Sequence, residues 1–419
     1  MGNEFVFYVG VDWGTEWHQV CIIDAQGKIV WERSIEHSGK AIRAFLCLLD
    51  KLTQMEAERI AVAIEVPRGP VVEAFLERKY AVFSINPKQL DRFRDRYTVA
   101  GAKDDRRDAF VAADSLRTDQ HCFRRVMADD PVVIRIRELS RTEESFSGDL
   151  NRAVNQLYQL LLRYYPQLLQ LCAHPDEPWL WALLELAPTP QRGARIAVSR
   201  LRQLLSKHRI RRWTAEQVHG ILTGPALPLS PGTAEAISEH ALLLLPQLRV
   251  MHTQRKQVAD QMQNVLDEME TSAADNADSH QHRDITLLLS LPGVGRVVTG
   301  IIIAEGSGPL RERDYRALRA YGGIAPVTRQ SGKSKQVSMR YRCNQRLRNA
   351  FYHWARVSVQ NDARSKEHYE RLRKGGHGHS RALRGVADRL LAVLIAMLKS
   401  GQVYSANRRP SDAAVACVC

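Results

Sequence analysis

Asp12, Glu65, Asp105 and Asp108 stand in an order that could support metal-assisted phosphoryl chemistry. Asp12 closes the apolar run Phe5 to Val11, and Glu65 closes the run Ile60 to Ile64, so each is expected at the end of a buried strand. Asp105 and Asp108 lie three apart in Lys103-Asp104-Asp105-Arg106-Arg107-Asp108-Ala109, which reads as a helix start. Positions i and i+3 share a helix face, so both aspartates can point at one spot. Such a carboxylate cluster repels itself unless it holds a hard cation, and Mg²⁺ prefers oxygen ligands. Two such ions can clamp a phosphoryl centre. The expected cofactor is Mg²⁺, with these four carboxylates as metal ligands and catalytic groups. Asp104 could replace Asp105 if the helix phase is shifted.

The elements that must position these residues can be read along the chain. Phe7 to Val11, Gln19 to Ile23 and Lys28 to Ser34 read as strands, with Gln26-Gly27 as the turn between the last two. Lys40 to Leu52 has helical spacing. The strand Ile60 to Glu65 follows, then a helix through Arg78, a strand from Ala81 to Ile85, and helices over Lys88 to Tyr97 and Lys103 to Arg117. Three strands and a helix, then strands alternating with helices, is the order of an α/β RNase H-like (RuvC-like) domain. The order gains weight from an acid on the first strand and another on the fourth.

Asp130 to Leu171 and Glu239 to Thr271 read as two long helices, which form either an antiparallel arm or a pairing between subunits. Between them, Pro175 to Pro231 is rich in Trp and Pro and carries the basic stretch Lys207 to Arg212; no function is assigned to this insert. Ser272 to His282 reads as a polar linker. Further on, Leu291-Pro292-Gly293-Val294-Gly295 precedes an apolar helix, Val297 to Ala304. This turn suits a helix–hairpin–helix-like element whose Gly293 and Gly295 amides would approach a phosphate backbone. The expected organisation is a RuvC-like domain over residues 1–125 and a mostly α-helical middle arm with its insert over 126–280. A C-terminal domain over 281–400 and a tail over 401–419 would follow.

The chain has 419 residues and a net charge of +14. Pro309 to Arg384 holds nineteen Lys/Arg against five Asp/Glu, a surplus equal to the whole net charge. One segment therefore carries the basic excess, which points to a polyanionic partner for that segment. The seven cysteines are odd in number and lack paired metal spacing, which suggests a reducing cytoplasm; Cys417-Val418-Cys419 reads as a loose tail. No apolar run reaches the length of a membrane span, and no signal peptide is read, so no membrane partner is expected.

With these motifs in place, the chain resembles the IS-one-ten family of insertion-sequence transposases. Val9-Gly10-Val11-Asp12, Ile64-Glu65 and Lys103-x-Asp105-x-x-Asp108-Ala109 match the family's DEDD RuvC-like domain. The turn Leu291 to Gly295, then Gly322-Gly323-Ile324-Ala325-Pro326, then Gln330-Ser331-Gly332, match its second domain. The resemblance covers about residues 5–118 and 284–400. It implies a recombinase or transposase that cuts and rejoins DNA, both donor and target, with Ser331 as nucleophile. It also implies guidance by a bridge RNA and a homo-oligomer, a dimer of dimers in which the site is shared. A serine beside glycine is otherwise a common turn pair, and Ser334 and Ser338 are nearby competitors. Arg329, Lys333, Lys335, Arg340 and Arg342 flank the serine and are candidates for nucleic-acid binding. Related DNA invertases, or a hydrolytic nuclease using the carboxylates alone, are the alternatives.

Overall fold

The computed structural model describes residues 5–52, 54, 56–97, 104–230, 232–275, 280–332 and 334–405. The chain divides into two compact units, Met1–Asp130 and Pro131–Cys419.

The first unit is built on a six-stranded mixed sheet. Its strands are β1 (Phe7–Asp12), β2 (Trp17–Asp24), β3 (Ile29–Glu36), β4 (Ile60–Ile64), β5 (Ala81–Ser84) and β6 (Arg124–Arg125), and its helices are α1 (Gly39–Leu52), α2 (Pro70–Glu77), α3 (Pro87–Arg94) and α4 (Asp105–Thr118). The spatial order is β3-β2-β1-β4-β5-β6. β1, β2 and β3 are antiparallel neighbours; β4 runs parallel to β1, β5 parallel to β4, and β6 antiparallel to β5. This arrangement is consistent with an RNase H-like domain. Of these elements only the two-residue β6 has no counterpart in the sequence reading. α3 is shorter than expected: it is capped by Asn86, which accepts from the Lys88 amide at 3.0 Å, and it ends at Arg94.

Side chains alternate across a strand with period two, so each strand feeds two cores. Tyr8, Cys21, Ile23, Ala61, Ala63 and Phe83 face α3 and α4, whereas Val9, Val11, Val20, Ile22, Val62 and Ile64 face α1 and α2. Gly10 and Asp12 share the parity of Tyr8, and Glu65 that of Ala61 and Ala63. Alternation alone therefore directs both acids to the side of the sheet where α4 begins.

The second unit is mostly helical. It runs α5 (Pro131–Tyr164), α6 (Gln167–Leu171), α7 (Pro178–Leu186), α8 (Pro190–Ala194), α9 (Val198–Lys207), α10 (Ala215–Leu222) and α11 (Thr233–Asp275). Then come α12 (His280–Leu289), α13 (Arg296–Arg311), α14 (Tyr315–Tyr321), the hairpin β7 (Val327–Ser331) and β8 (Ser334–Ser338), α15 (Gln345–Asn361), α16 (Ala363–Lys374) and α17 (His379–Ser400). α5 and α11 pack antiparallel within one chain. Arg135 pairs with Glu268 at 3.7 Å, Glu143 with Arg255 at 3.0 Å, and Gln156 meets His240 at 3.3 Å, one number rising as the other falls. The expected long helix to Leu171 is interrupted at Tyr165-Pro166, because proline has no amide to donate and restricts the residue before it. The expected linker is largely helical instead: α11 continues through Asp275 and α12 starts at His280.

This helix pair joins two separate cores. At one end Val133, Ile136, Met262 and Leu266 pack with Ile302, Phe351, Trp354 and Leu391. At the other, Leu157, Leu161, Leu245 and Leu248 pack with Trp179, Trp181, Leu201 and Val218 from the insert. The Trp- and Pro-rich insert is thus a small helical subdomain in which Trp179 and Trp181 are core residues, 2% exposed or less, while Trp213 is half-buried against the same core. Among the described residues no helix is long and apolar enough to cross a membrane. Cys21, Cys47, Cys122, Cys172 and Cys343 are free thiols. Lys103, Lys333, Cys417 and Cys419 lie outside the described residues.

Candidate active site

Asp12, the last residue of β1, meets Asp105 and Asp108 from the first turn of α4; one oxygen from each lies within 4.8 Å of the others. The two small residues of the motifs explain the meeting. A Cβ on Gly10 would sit 1.8 Å from the Ala109 carbonyl oxygen and 2.8 Å from the Ala113 amide, so the α4 backbone lies directly on β1. Any side chain at Gly10 would push α4 away and carry Asp105 and Asp108 with it. Helix phase is fixed by Asp104, whose carboxylate caps α4 by accepting from the Arg106 amide at 3.1 Å. Asp104 therefore caps the helix, and Asp105 and Asp108 point at Asp12. Both sit where the helix dipole favours negative charge.

Glu65 follows β4 directly and is half-buried; its carboxylate is not part of the close triplet. Ile64 is in register with Val11, so the strand ends carrying Asp12 and Glu65 are adjacent.

Asp108 is buried, at 4% exposure, and its carboxylate pairs with the Arg94 Nε at 2.7 Å. Arg94 also lies 3.4 Å from Asp91 on its own helix. A guanidinium from α3 is thus a counter-charge for the cluster. The donor set fits a hard cation, since all the donors are carboxylate oxygens. Mg²⁺–oxygen bonds are about 2.1 Å, so ligands of one ion lie up to about 4.2 Å apart. Only trans ligands reach that span and cis ligands lie about 3 Å apart, so the triplet, gathered within 4.8 Å, must draw together to hold one ion.

A second layer, absent from the sequence reading, supports the loops behind the acids. The Trp13 ring lies 4.5 Å from that of His18 and 5.3 Å from that of His37. His18 is fully buried on β2. The Gly14 amide donates to His18 Nδ1 at 3.3 Å, which leaves the His18 Nε2 proton for His37 Nδ1, 2.9 Å away; the tautomers are assigned from this network. Burial, with help from the neighbouring His37, holds the His18 pKa below the ordinary imidazole value. On its other side Trp13 contacts the loop after β4. Gly69 has φ +102°, and a Cβ there would come within 3.1 Å of the Trp13 ring. Trp13 therefore bridges the loop that follows Asp12 and the loop that follows Glu65. The signal for this layer is weak in sequence, because one buried histidine in a strand looks like any other.

Ser331 belongs to the second unit. It closes β7 and pairs with Ser334 across a two-residue loop, with Gly332 at φ +53°, the left-handed conformation such hairpin turns demand. The hairpin is exposed from Thr328 to Val337 among its described residues. Arg329 and Lys335 project from it, and Arg342 is exposed beyond it. Arg340 is half-buried; its Nε donates to the Ala325 carbonyl at 3.3 Å, tying the two strands' roots together. Below the hairpin, Gly322 presses on Phe351, where a Cβ would lie 2.2 Å from the ring. Asn344 caps α15 through the Leu347 amide at 3.0 Å and donates to Glu305 at 2.7 Å. Burial raises the Glu305 pKa, but hydrogen bonds from Asn344 and Arg141 and the charges of Arg141 and Arg346 outweigh it and hold the carboxyl below its usual range. Ser331 thus stands on a rigid base with a free face toward solvent.

The turn between α12 and α13 has an internal role as well. A Cβ on Gly293, at φ +76°, would collide with Ser358 at 2.6 Å. The Pro292 carbonyl accepts from Trp354 Nε1 at 2.9 Å and Ser358 Oγ at 2.7 Å. Gly293 is required for packing against α15, while Gly295 is exposed, with nothing within 4 Å of a Cβ there, and precedes the first turn of α13.

Two family models match this chain. One, of the DEDD type and described as a transposase, matches residues 9–166; the other, described as the transposase IS116/IS110/IS902 family, matches residues 285–370. A protein of Sinorhizobium fredii named as transposase y4uE is 47% identical over 209 residues, a match spanning 50% of this chain and 58% of that relative. A protein of Streptomyces coelicolor named as a mini-circle transposase for IS117 is 32% identical over 414 residues, 97% of each chain. An uncharacterized 42 kDa protein of insertion element IS900 from Mycobacterium paratuberculosis is 23% identical over 95% of this chain.

Proposed function

The chain belongs to the IS116/IS110/IS902 family of insertion-sequence transposases, and on that premise we propose that it cuts and rejoins DNA through a phosphoserine on Ser331. The observation that carries the reading is the convergence of Asp12, Asp105 and Asp108 within 4.8 Å, on the face toward which Glu65 also projects by strand parity. These four carboxylates would hold Mg²⁺. When bound, the ion neutralises charge on the phosphoryl oxygens and favours the ionised hydroxyl. The Ser331 oxygen attacks phosphorus, the bond to the 3′ oxygen breaks, and the proton lost by serine is matched by the one gained by the 3′ hydroxyl. The 5′ phosphate stays on serine, so its bond energy is retained for resealing. The exposed Arg329, Lys335 and Arg342 hold target phosphates, joined by Lys333. Arg340 braces the hairpin, and Gly295 offers the open amide at the start of α13.

Phosphate contacts position DNA without reading sequence. Sequence choice is delegated to a bridge RNA, as base pairing does in other guided systems. The helix–hairpin–helix-like element, the three-part organisation and a cytoplasmic location complete the reading. The acids and the serine lie in different units, and the active form is a dimer of dimers sharing its sites.

Trapping the protein on a nicked substrate and mapping the modified peptide should place the DNA on Ser331; modification elsewhere overturns the nucleophile. The acid cluster lies wholly within the first unit, which favours, as a second reading, a hydrolytic nuclease that needs no serine. Ser331→Ala separates the two, since a hydrolytic nuclease keeps cutting.

A further inference from the structure

We propose that the insert subdomain carries a second nucleic-acid surface, formed by α8, α9 and the segment after them, that grips the backbone of double-helical DNA. The proposal rests on the reading that this chain acts on DNA. It concerns residues 187–215, which lie between the two segments matched by the family models.

This stretch holds eight Lys/Arg and no Asp or Glu. Two of its arginines are paired: Arg202 with Glu216 at 2.5 Å, and Arg212 with Glu177 at 2.6 Å. The other six, Arg192, Arg195, Arg200, Lys207, Arg209 and Arg211, are all exposed, and among the described residues no carboxylate forms an ion pair with them. Packing does not require them. α9 is anchored by Leu201, Leu204 and Leu205, while Arg200, Gln203 and Lys207 follow the i, i+3, i+7 stripe of its outer face. Six like charges on one small subdomain repel one another, and a polyanion relieves that repulsion. His208, beside Lys207, has its pKa lowered first by partial burial and then by the charges of Lys207 and Arg249.

The arrangement selects among polyanions. Single strands are held by aromatic stacking together with charge. Here the aromatic residues face inward: Trp179 and Trp181 are at most 2% exposed, and Trp213 is half-buried, its Nε1 donating to the Leu171 carbonyl at 3.1 Å. A surface of guanidinium and ammonium groups with no stacking platform suits the regular phosphates of a duplex, where one charge occurs per about 1.7 Å of axis. Since the proposed reaction is on DNA, the ligand is the duplex flanking the reacting site. The surface supplies affinity and orientation without sequence preference.

The test uses the full-length protein and a 40-base-pair DNA duplex of arbitrary sequence, with binding read across a salt series and no cleavage required. In the variant, Arg195, Arg200, Lys207 and Arg211 are all replaced by Gln. A control replaces Arg33, Lys40, Arg43 and Lys51, exposed cations of the first unit, and so removes the same net charge. Each phosphate contact contributes about 0.9 to the slope of log affinity against log salt, so the variant, losing four cations, should lose up to about 3.6 from that slope and at least tenfold in affinity. The control should lose much less. Equal losses in variant and control, or none in the variant, overturn the proposal. It is also overturned if the loss is as large for single-stranded DNA, or is confined to an RNA duplex of the same sequence. Because the readout is binding, an inactive protein that still shows the differential loss would sink the recombinase reading and leave this surface standing.

Discussion

Arg94→Ala should destabilise the metal-free first unit and make its stability strongly dependent on a divalent cation. Arg94 Nε lies 2.7 Å from the Asp108 carboxylate, and the two side chains are 22% and 5% exposed. At that distance an effective dielectric near 20 gives about 6 kcal/mol of attraction, before the desolvation of both groups is set against it. Removing one member of a buried pair typically costs about 3–5 kcal/mol, and the partial exposure of Arg94 places this case near about 3. Asp108 would then face Asp12 and Asp105 within 4.8 Å with no counter-charge from α3, a repulsion of about 3 kcal/mol per pair at the same dielectric. For a unit of this size a loss of about 3 kcal/mol lowers the melting temperature by about 10 °C. The assay is thermal unfolding with and without millimolar Mg²⁺. Mg²⁺ should raise the melting temperature of the variant more than that of the wild type, and titration calorimetry should show the variant binding the ion at least tenfold tighter. An Arg94→Ala protein as stable as wild type without metal, or a Mg²⁺ gain equal in both, refutes the reasoning that Arg94 and the cation compete for one carboxylate.

Asp104→Asn should retain cleavage, because asparagine caps a helix about as well as aspartate, whereas Asp105→Asn should abolish it; the reverse pattern in a strand-cleavage assay would show that α4 presents the other acid. Gly10→Ala should cost at least about 2 kcal/mol in a denaturant titration and also eliminate cleavage, because the added carbon meets the α4 backbone rather than a flexible side chain; unchanged stability would contradict the close approach. His18, whose pKa is lowered by burial and by His37, adds stability that is complete above its unfolded value of 6.5 and is lost as pH falls through the lower folded value. Wild-type stability should therefore fall below pH 6.5 more steeply than that of His18→Gln, and parallel curves would remove the histidine from the account.

The acids at the strand ends and the order of the first unit's elements were legible because each rests on local pattern, whereas the phase of α4 was open between Asp104 and Asp105 and is fixed by the Asp104 cap. Strand periodicity places Asp12, and an aspartate before a helix caps it. Even Gly10 and Ala109, small residues beside the acids, carry the trace of a tight contact. Arg94, Trp13, His18 and His37 were not legible, since their roles come from partners on other elements that no short-range pattern encodes. The β7–β8 hairpin was missed because its strands are short, polar and exposed, so alternation has no apolar face to mark. The insert received no assignment from its sequence, and Trp179 and Trp181 turn out to fill a core; composition cannot distinguish a buried ring from a presented one. The linker expected at 272–282 was read from polarity, but helices α11 and α12 extend into it.

The pairing of α5 with α11 has a consequence for the birth of the protein on the ribosome. The buried residues of the core that includes the insert all lie between Leu150 and Leu248, one uninterrupted stretch of chain. The basal core instead draws Val133 and Ile136 together with Leu391 and Leu398, residues more than 250 positions apart by the numbering. A contiguous segment closes its loops early and at lower entropic cost, while contacts of long separation form slowly. The insert subdomain is thus placed to fold while the C-terminal half is still being synthesised, and in folding it zips the distal ends of the two long helices together. Their proximal ends are then already side by side when α13, α15 and α17 emerge. The hairpin bearing Ser331, which lies between α14 and α15 in the chain, gains its base from these late-emerging helices, so its support is expected among the last contacts to form.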